Sequence, residues 1–239
     1  IPHFDNPSFA FEPDEPIEWT NVLPLKPQFQ LMQHQKIAIL KLSRIFSHLD
    51  KNPHKFHNRG AVLAAVMGAG KTLITLAFTL GIIPRGPTCL PSLIVCSKSL
   101  INMWKTEGAE KFFEAGSVNV LYLHPDFLSE KAIDSLSREK LLAYDLVVTS
   151  YGFVVSAGKR TNAEKAVRVN GRARTWGESE DRLRYLRNRP QDLADDPSVE
   201  GRGILFATPW HFVTADEARF SNFKSRRFEY MMCLYGDKK

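Results

Sequence analysis

Cysteine is scarce: Cys89, Cys96 and Cys233 are the three thiols of a 239-residue chain. So few, set so far apart, cannot build a disulfide framework or a cysteine zinc site, and a reducing compartment is the default. Long apolar runs are also missing. No stretch approaches the roughly 18 consecutive apolar residues that span a bilayer, so no membrane partner is expected. No basic-then-apolar leader follows Ile1, and nothing there argues for export. Charge is unbalanced rather than scarce, with 32 Lys/Arg against 26 Asp/Glu and a sequence pI near 9.2. A net charge of +6 favours a polyanionic partner without identifying one. The surplus is local: ten Lys/Arg face four Asp/Glu between Lys159 and Arg189.

What is present is a core and a rhythm. Hydrophobic residues make up 44% of the chain, enough for one sizeable α/β domain. Residues 1–30 are rich in Pro, Asp and Glu without a period, which reads as an extended lead-in packed onto the domain. From Leu31, apolar residues at helical spacing through Ile37, Leu40, Ile45 and Phe46 predict an amphipathic helix. Strand-like runs then alternate with helical ones. Strands are expected at Ala61–Val66, Ser92–Cys96, Val118–Leu123, Asp145–Thr149 and His211–Ala215. Helices are expected after Lys71, over Lys98–Phe113 and Ser129–Leu142, and near Lys224–Leu234. That alternation predicts an α/β fold with a mostly parallel, doubly wound sheet and flanking helices. Residues 158–200 are polar and Arg-rich and break the rhythm, as an insertion or loop does. The remainder, 31–239, reads as one lobe.

The strongest local signal is Gly68-Ala69-Gly70-Lys71-Thr72, between an apolar run and a helix. Small residues let successive backbone N–H groups wrap a phosphate chain, and the helix opening at Lys71 turns its positive end to the anion. Lys71 suits the β/γ oxygens and the Thr72 hydroxyl suits Mg²⁺, so ATP with Mg²⁺ is the expected ligand of this P-loop. The general pattern has Gly where Ala65 stands. A second acidic anchor is then required. Asp216-Glu217 supplies it at the end of an apolar strand, where a parallel sheet delivers residues to its carboxyl edge. Asp216 would hold Mg²⁺, directly or through water, and Glu217 would take the proton of the lytic water.

With these motifs placed, the order of the other segments resembles the SNF2 family of superfamily 2 ATPases. Leu31-Met32-Gln33-His34-Gln35 resembles its Q-motif, in which Gln35 would read the adenine edge. Ala64–Thr72 resembles motif I, written A-D-E-M-G-L-G-K-T, with Ala65 and Val66 replacing the acidic pair. Ser92–Ile101 and Trp104–Glu107 resemble motif Ia, with Ser97 in place of the usual Pro. Asp145–Tyr151 resembles motif Ib. Trp210–Ser225 resembles W-x-x-V-x-x-D-E-A-H-x-x-x-N-x-x-S, with Asn222 and Ser225 in register and Arg219 where the family has His. Arg219 is a permanent cation and cannot act as a neutral acceptor. Altered coupling, a γ-phosphate contact and a pair with Glu217 all fit it.

The resemblance implies a RecA-like P-loop lobe of a DNA-dependent ATPase, a double-stranded DNA translocase. Other superfamily 2 helicases, of viral transcription or restriction type, and a degenerate nucleic-acid-binding scaffold remain as alternative readings. It implies that Ser97, Lys98, Thr149 and Ser150 lie on the face opposite the nucleotide and grip DNA phosphates, which positions a duplex without reading sequence. Strand-end capping is an equal reading for Thr149 and Ser150. Arg172, Arg174, Arg182, Arg184, Arg187 and Arg189 suit phosphate contact or a solvated face. Trp176 suits stacking or packing, whereas Trp104 and Trp210 read as packing residues. The chain ends at Lys239, about where motif III would begin, so the resemblance implies a second RecA-like lobe carrying arginine fingers. Without those fingers turnover would be slow, by roughly 10³-fold or more. It also implies a nuclear location, or the host cytoplasm for a viral protein.

Overall fold

Two runs of continuous burial set the architecture. Ser92–Cys96 forms β1 and Leu146–Ser150 forms β3, and every residue of both is buried. Consecutive strand side chains point to opposite faces, so such strands need a layer of helices on each side. The computed structural model describes residues 25–51, 60–81, 90–160 and 203–217 and contains both layers. With β2 (Val120–Leu123) and β4 (Val213–Ala215), the strands form one parallel sheet in the order β2-β3-β1-β4. Leu93 of β1 pairs in register with Val147 of β3 and Val213 of β4. All four strands therefore end at one carboxyl edge.

The two faces divide by alternate residues. Leu93, Val95 and Val147 join a core built with α5 (Glu130–Asp134), α6 (Arg138–Leu142), α7 (Tyr151–Arg160) and α8 (Ile204–Ala207). Ile94, Cys96, Leu146 and Val148 face the other way, onto Leu76 and Leu80 of α2 (Lys71–Gly81) and onto Ile101 and Trp104. The far side of α2 packs through Ile74, Ala77 and Phe78 on Ile39 of α1 (Gln33–Lys51). So α2 is enclosed between α1 and the sheet. Phe78 also meets Phe212, just before β4, with ring centroids 4.7 Å apart, and Phe46 of α1 closes the cluster at 5.4 and 5.0 Å.

Between β1 and β2 the helix changes pitch. A 3₁₀ turn (Lys98–Leu100), α3 (Ile101–Met103), a π segment (Trp104–Ala109) and α4 (Glu110–Phe112) follow without a break. π segments are rare and recur at functional sites. No described helix is long and apolar enough to cross a membrane.

Three expectations are corrected. Ala61–Val66 was expected as a buried strand, yet it has no ladder partner among the described residues, and Val62 and Val66 are 91% and 79% exposed. A parallel strand exists only where a neighbour supplies hydrogen bonds, and apolar character alone does not provide one. The helix expected over Ser129–Leu142 is two helices. Ser129 caps α5 by accepting from Ala132 N–H, and Ser137 restarts the chain by accepting from Lys140 N–H. Each serine satisfies an orphan donor of a new helix. Finally, α7 runs to Arg160, into the stretch read as an insertion. Its Phe153, Val154 and Ala157 are buried against β3's face, and this packing outweighs the modest helix propensity of Gly152 and Val154. The lead-in up to residue 24, the basic residues from 161 to 200 with Trp176, and Arg219, Asn222, Ser225 and the expected final helix lie outside the described residues.

Truncating Phe78 should open the contact between α1, α2 and β4. Phe78→Ala is expected to lower unfolding stability by about 3 kcal/mol, measured by urea denaturation.

Candidate nucleotide site and the adjoining cavity

The glycine-rich loop starts from two backbone positions that only glycine adopts at little cost. Gly68 has φ +83° and Gly70 φ +77°, both in the left-handed region. Between them Ala69 N–H donates to Val66 O at 3.3 Å, and Ile74 N–H donates to Gly70 O at 2.9 Å, opening α2. The Lys71 ammonium donates to the carbonyls of Ala65 and Val66 at 3.0 and 3.2 Å, folding the side chain back over the loop. Lys71 and Thr72 are half-buried at the head of α2.

Gln35 docks α1 onto this loop. It is 5% exposed, its Oε1 accepts from Met32 N–H at 3.0 Å, and its Nε2 donates to Ala69 O at 3.4 Å. The first bond is half of a capping box, the third helical residue reaching back to the residue before the helix. The second joins residues 34 positions apart. A methyl at Gly70 would run into the Gln35 amide, so that glycine is required by close approach as well as by φ. His34, to which the sequence assigned no role, lies with Nε2 3.1 Å from the same Ala69 carbonyl.

The acidic pair stands where the strand delivers it. Asp216 continues β4, its N–H donating to Val95 O at 2.9 Å. Its carboxylate Oδ2 accepts from the Trp104 indole Nε1–H at 2.8 Å, and its carbonyl accepts from the Tyr151 hydroxyl at 2.7 Å. Glu217 is exposed and sits at φ +48°, which for a residue with a Cβ is strained by roughly 1 kcal/mol.

The π segment connects the loop to the acids. Trp104 at its start holds Asp216, and Gly108 within it lies against Thr72 and Leu76 of α2. The Phe78–Phe212 contact joins α2 to β4 lower down. From there α2 rises roughly 10 Å to Lys71 and β4 roughly 13 Å to Asp216, at 1.5 and 3.3 Å per residue. Both clusters thus occupy the same end of two adjoining layers, α2 and the sheet. Glu107, also in the π segment, pairs with Lys111 at 2.7 Å on the surface and does not enter the site.

Beside the acidic turn is a cavity of about 370 Å³. It is lined by Ser97 and Lys98 after β1, His124 after β2, and Ser150, Tyr151 and Ser156 at β3 and α7. Three of the four residues assigned to phosphate contact are therefore together. Ser150 Oγ accepts from Phe153 N–H at 3.0 Å, capping α7, and Lys98 pairs with Asp126 at 3.0 Å. Thr149 is apart: it is fully buried and its hydroxyl donates to Leu123 O at 2.8 Å, so it ties β3 to the end of β2. The resemblance set these residues on the face opposite the nucleotide. Ser97, Lys98 and Ser150 stand at the carboxyl edge that also carries Asp216, and α7 beside them packs on the sheet face opposite α2.

Residues 29–237 match the SNF2-related domain. The chain belongs to that family. Its sheet and flanking helices are accordingly a RecA-like α/β lobe. The SNF2-related chain is 31% identical over 91% of its length to 172L of Invertebrate iridescent virus 6, a protein named as a helicase, and covers 36% of that protein. It is 28% identical to an uncharacterized ATP-dependent helicase of Schizosaccharomyces pombe, with 59% of this chain and 12% of that one aligned. It is 35% identical to the Zorya protein ZorD of Escherichia coli, with 43% and 9% aligned. The chain thus spans about a third or less of these relatives. Two of these relatives carry helicase names.

Cys96 shows how closed the floor of this site is. Burial, and secondarily the Asp216 carboxylate, pushes its thiol up to about 12 from 9.0. The fold favours the neutral thiol, so this contribution is intact below pH 9.0 and is lost as pH rises toward about 12. Iodoacetamide at pH 8.5 should leave Cys96 unlabelled in the folded protein and label it in urea, read by peptide mass spectrometry. Gly70→Ala should displace Gln35 and lower stability by about 1–2 kcal/mol in thermal unfolding, combining the φ penalty with the lost contact.

Proposed function

We propose that this chain is the ATP-binding lobe of a DNA-dependent ATPase that translocates on duplex DNA. The observation that carries the reading is the π segment, which binds Asp216 at one end and packs on Thr72 at the other. Two hard oxygen donors, the Thr72 hydroxyl and the Asp216 carboxylate, suit Mg²⁺, which takes few protein ligands and keeps phosphate and water as the rest. When bound, Mg²⁺ would neutralise charge developing on the phosphates.

The chain's own groups divide the remaining work. Backbone N–H groups of Gly68 to Lys71 would cradle the phosphates, and the dipole of α2 reinforces them. The Lys71 ammonium would exchange two carbonyl partners for phosphate oxygens, a charge-assisted gain. Gln35, already fixed beside Ala69, would offer its amide to the adenine edge. Glu217, exposed at the turn, would accept the proton of the attacking water. Ser97, Lys98 and Ser150 would hold a DNA backbone in the adjoining cavity. A second lobe of the same protein would complete the nucleotide site. The relatives named as helicases support nucleic-acid dependence, and a forked-duplex assay separates strand opening from translocation.

In full-length protein, Lys71→Ala should abolish duplex-stimulated ATP hydrolysis, a fall of roughly 10²-fold or more. Glu217→Gln should retain ATP binding by fluorescence titration while turnover falls roughly 10²–10⁴-fold. A Lys71→Ala protein as active as the parent would exclude this P-loop as the hydrolytic site.

A further inference from the structure

Tyr151 belongs to both halves of the carboxyl edge. Its side chain lines the cavity with Ser97, Lys98, His124 and Ser150, and its hydroxyl donates at 2.7 Å to the carbonyl of Asp216. The bond joins positions 65 residues apart and reaches past the end of β1 from β3 to β4. We propose that Tyr151 is a positioning residue that couples the cavity to the acidic turn, so that DNA backbone bound in the cavity resets the placement of Glu217. The inference rests on the function proposed above.

The physical case has three parts. The acceptor is a backbone carbonyl, so the bond fixes the peptide that joins Asp216 to Glu217 and thereby the direction of the next side chain. That next residue is strained, with φ +48°, and a strained non-glycine backbone persists only where neighbours hold it. Asp216 is otherwise anchored, through its N–H to Val95 and its carboxylate to Trp104. Release of the tyrosine bond therefore lets the Glu217 end of the turn relax while the Asp216 carboxylate stays in place. Tyr151 is also the first residue of α7, whose cap Ser150 lines the same cavity. A phosphate settling against Ser150 and Lys98 must adjust the turn of chain that carries the tyrosine ring. The cavity and the general base would thus share one hinge-like contact, with no moving part longer than a side chain.

Tyr151→Phe removes the hydroxyl and keeps the ring. In full-length protein, ATP hydrolysis at saturating duplex DNA should fall about five- to tenfold, the worth of one hydrogen bond. The DNA concentration for half-maximal stimulation and the affinity for ATP should stay within twofold, which a general loss of structure would not allow. Parent and Lys71→Ala proteins run alongside separate the two levels of the argument. If the parent is stimulated, Lys71→Ala is inactive and Tyr151→Phe is stimulated like the parent, the coupling role is overturned and the ATPase reading stands. If the parent is not stimulated by DNA, or Lys71→Ala remains active, both are overturned. Should Tyr151→Phe fail to fold, hydrogen exchange in the parent decides: duplex DNA without nucleotide should slow exchange across residues 213–217, and unchanged or faster exchange there refutes the proposal.

Discussion

The hydrogen bond from the Trp104 indole to the Asp216 carboxylate holds together parts of the chain that are 112 residues apart. It forms because β1 and β4 are parallel neighbours and because the helix after β1 adopts π pitch where it crosses the sheet edge. A buried indole N–H needs a partner, and a carboxylate beside a buried core needs a donor. Each group satisfies the other. The same segment then packs on the first turn of α2, so the position of the glycine-rich loop relative to the acids is set by one short stretch of helix. Altering its pitch would move both.

The sheet itself supplies the rest of the arrangement. Because its strands are parallel, each delivers its following loop to the same edge, and β1, β2, β3 and β4 contribute Ser97, His124, Ser150 and Asp216 in turn. The residues lining the cavity are therefore neighbours of Asp216 along that edge, and Tyr151 touches both. α2 owes its place to a different contact, the cluster of Phe46, Phe78 and Phe212, which docks α1, α2 and β4 below the site.

Much of this was legible in the residues. β1 was read at its observed limits, since a doubly buried parallel strand is simply a continuous apolar run. The turn at Gly68–Gly70 was readable because its glycines answer to local φ, which sequence encodes directly. Gln35 was picked out by resemblance, yet its contact with Ala69 depends on how α1 packs and could not be read locally. Ala61–Val66 has the composition of β1 but lacks a ladder, and no local pattern distinguishes the two. Trp104 was read as a packing residue. That is half right: its ring packs and its N–H serves Asp216, a role that an unpaired indole donor near motif residues could have suggested. The helix α7 was missed because its stability comes from Phe153, Val154 and Ala157 meeting the sheet, a tertiary term.

The claim at the centre is that Thr72 and Asp216 act on one magnesium-bound triphosphate. A double-mutant cycle on ATP affinity in full-length protein tests it most directly, with Thr72→Val and Asp216→Asn singly and together. The account predicts strong non-additivity in Mg²⁺, about 1 kcal/mol or more, that vanishes when the metal is chelated. Additive effects with Mg²⁺ present would contradict it, for the two side chains would then be serving different sites.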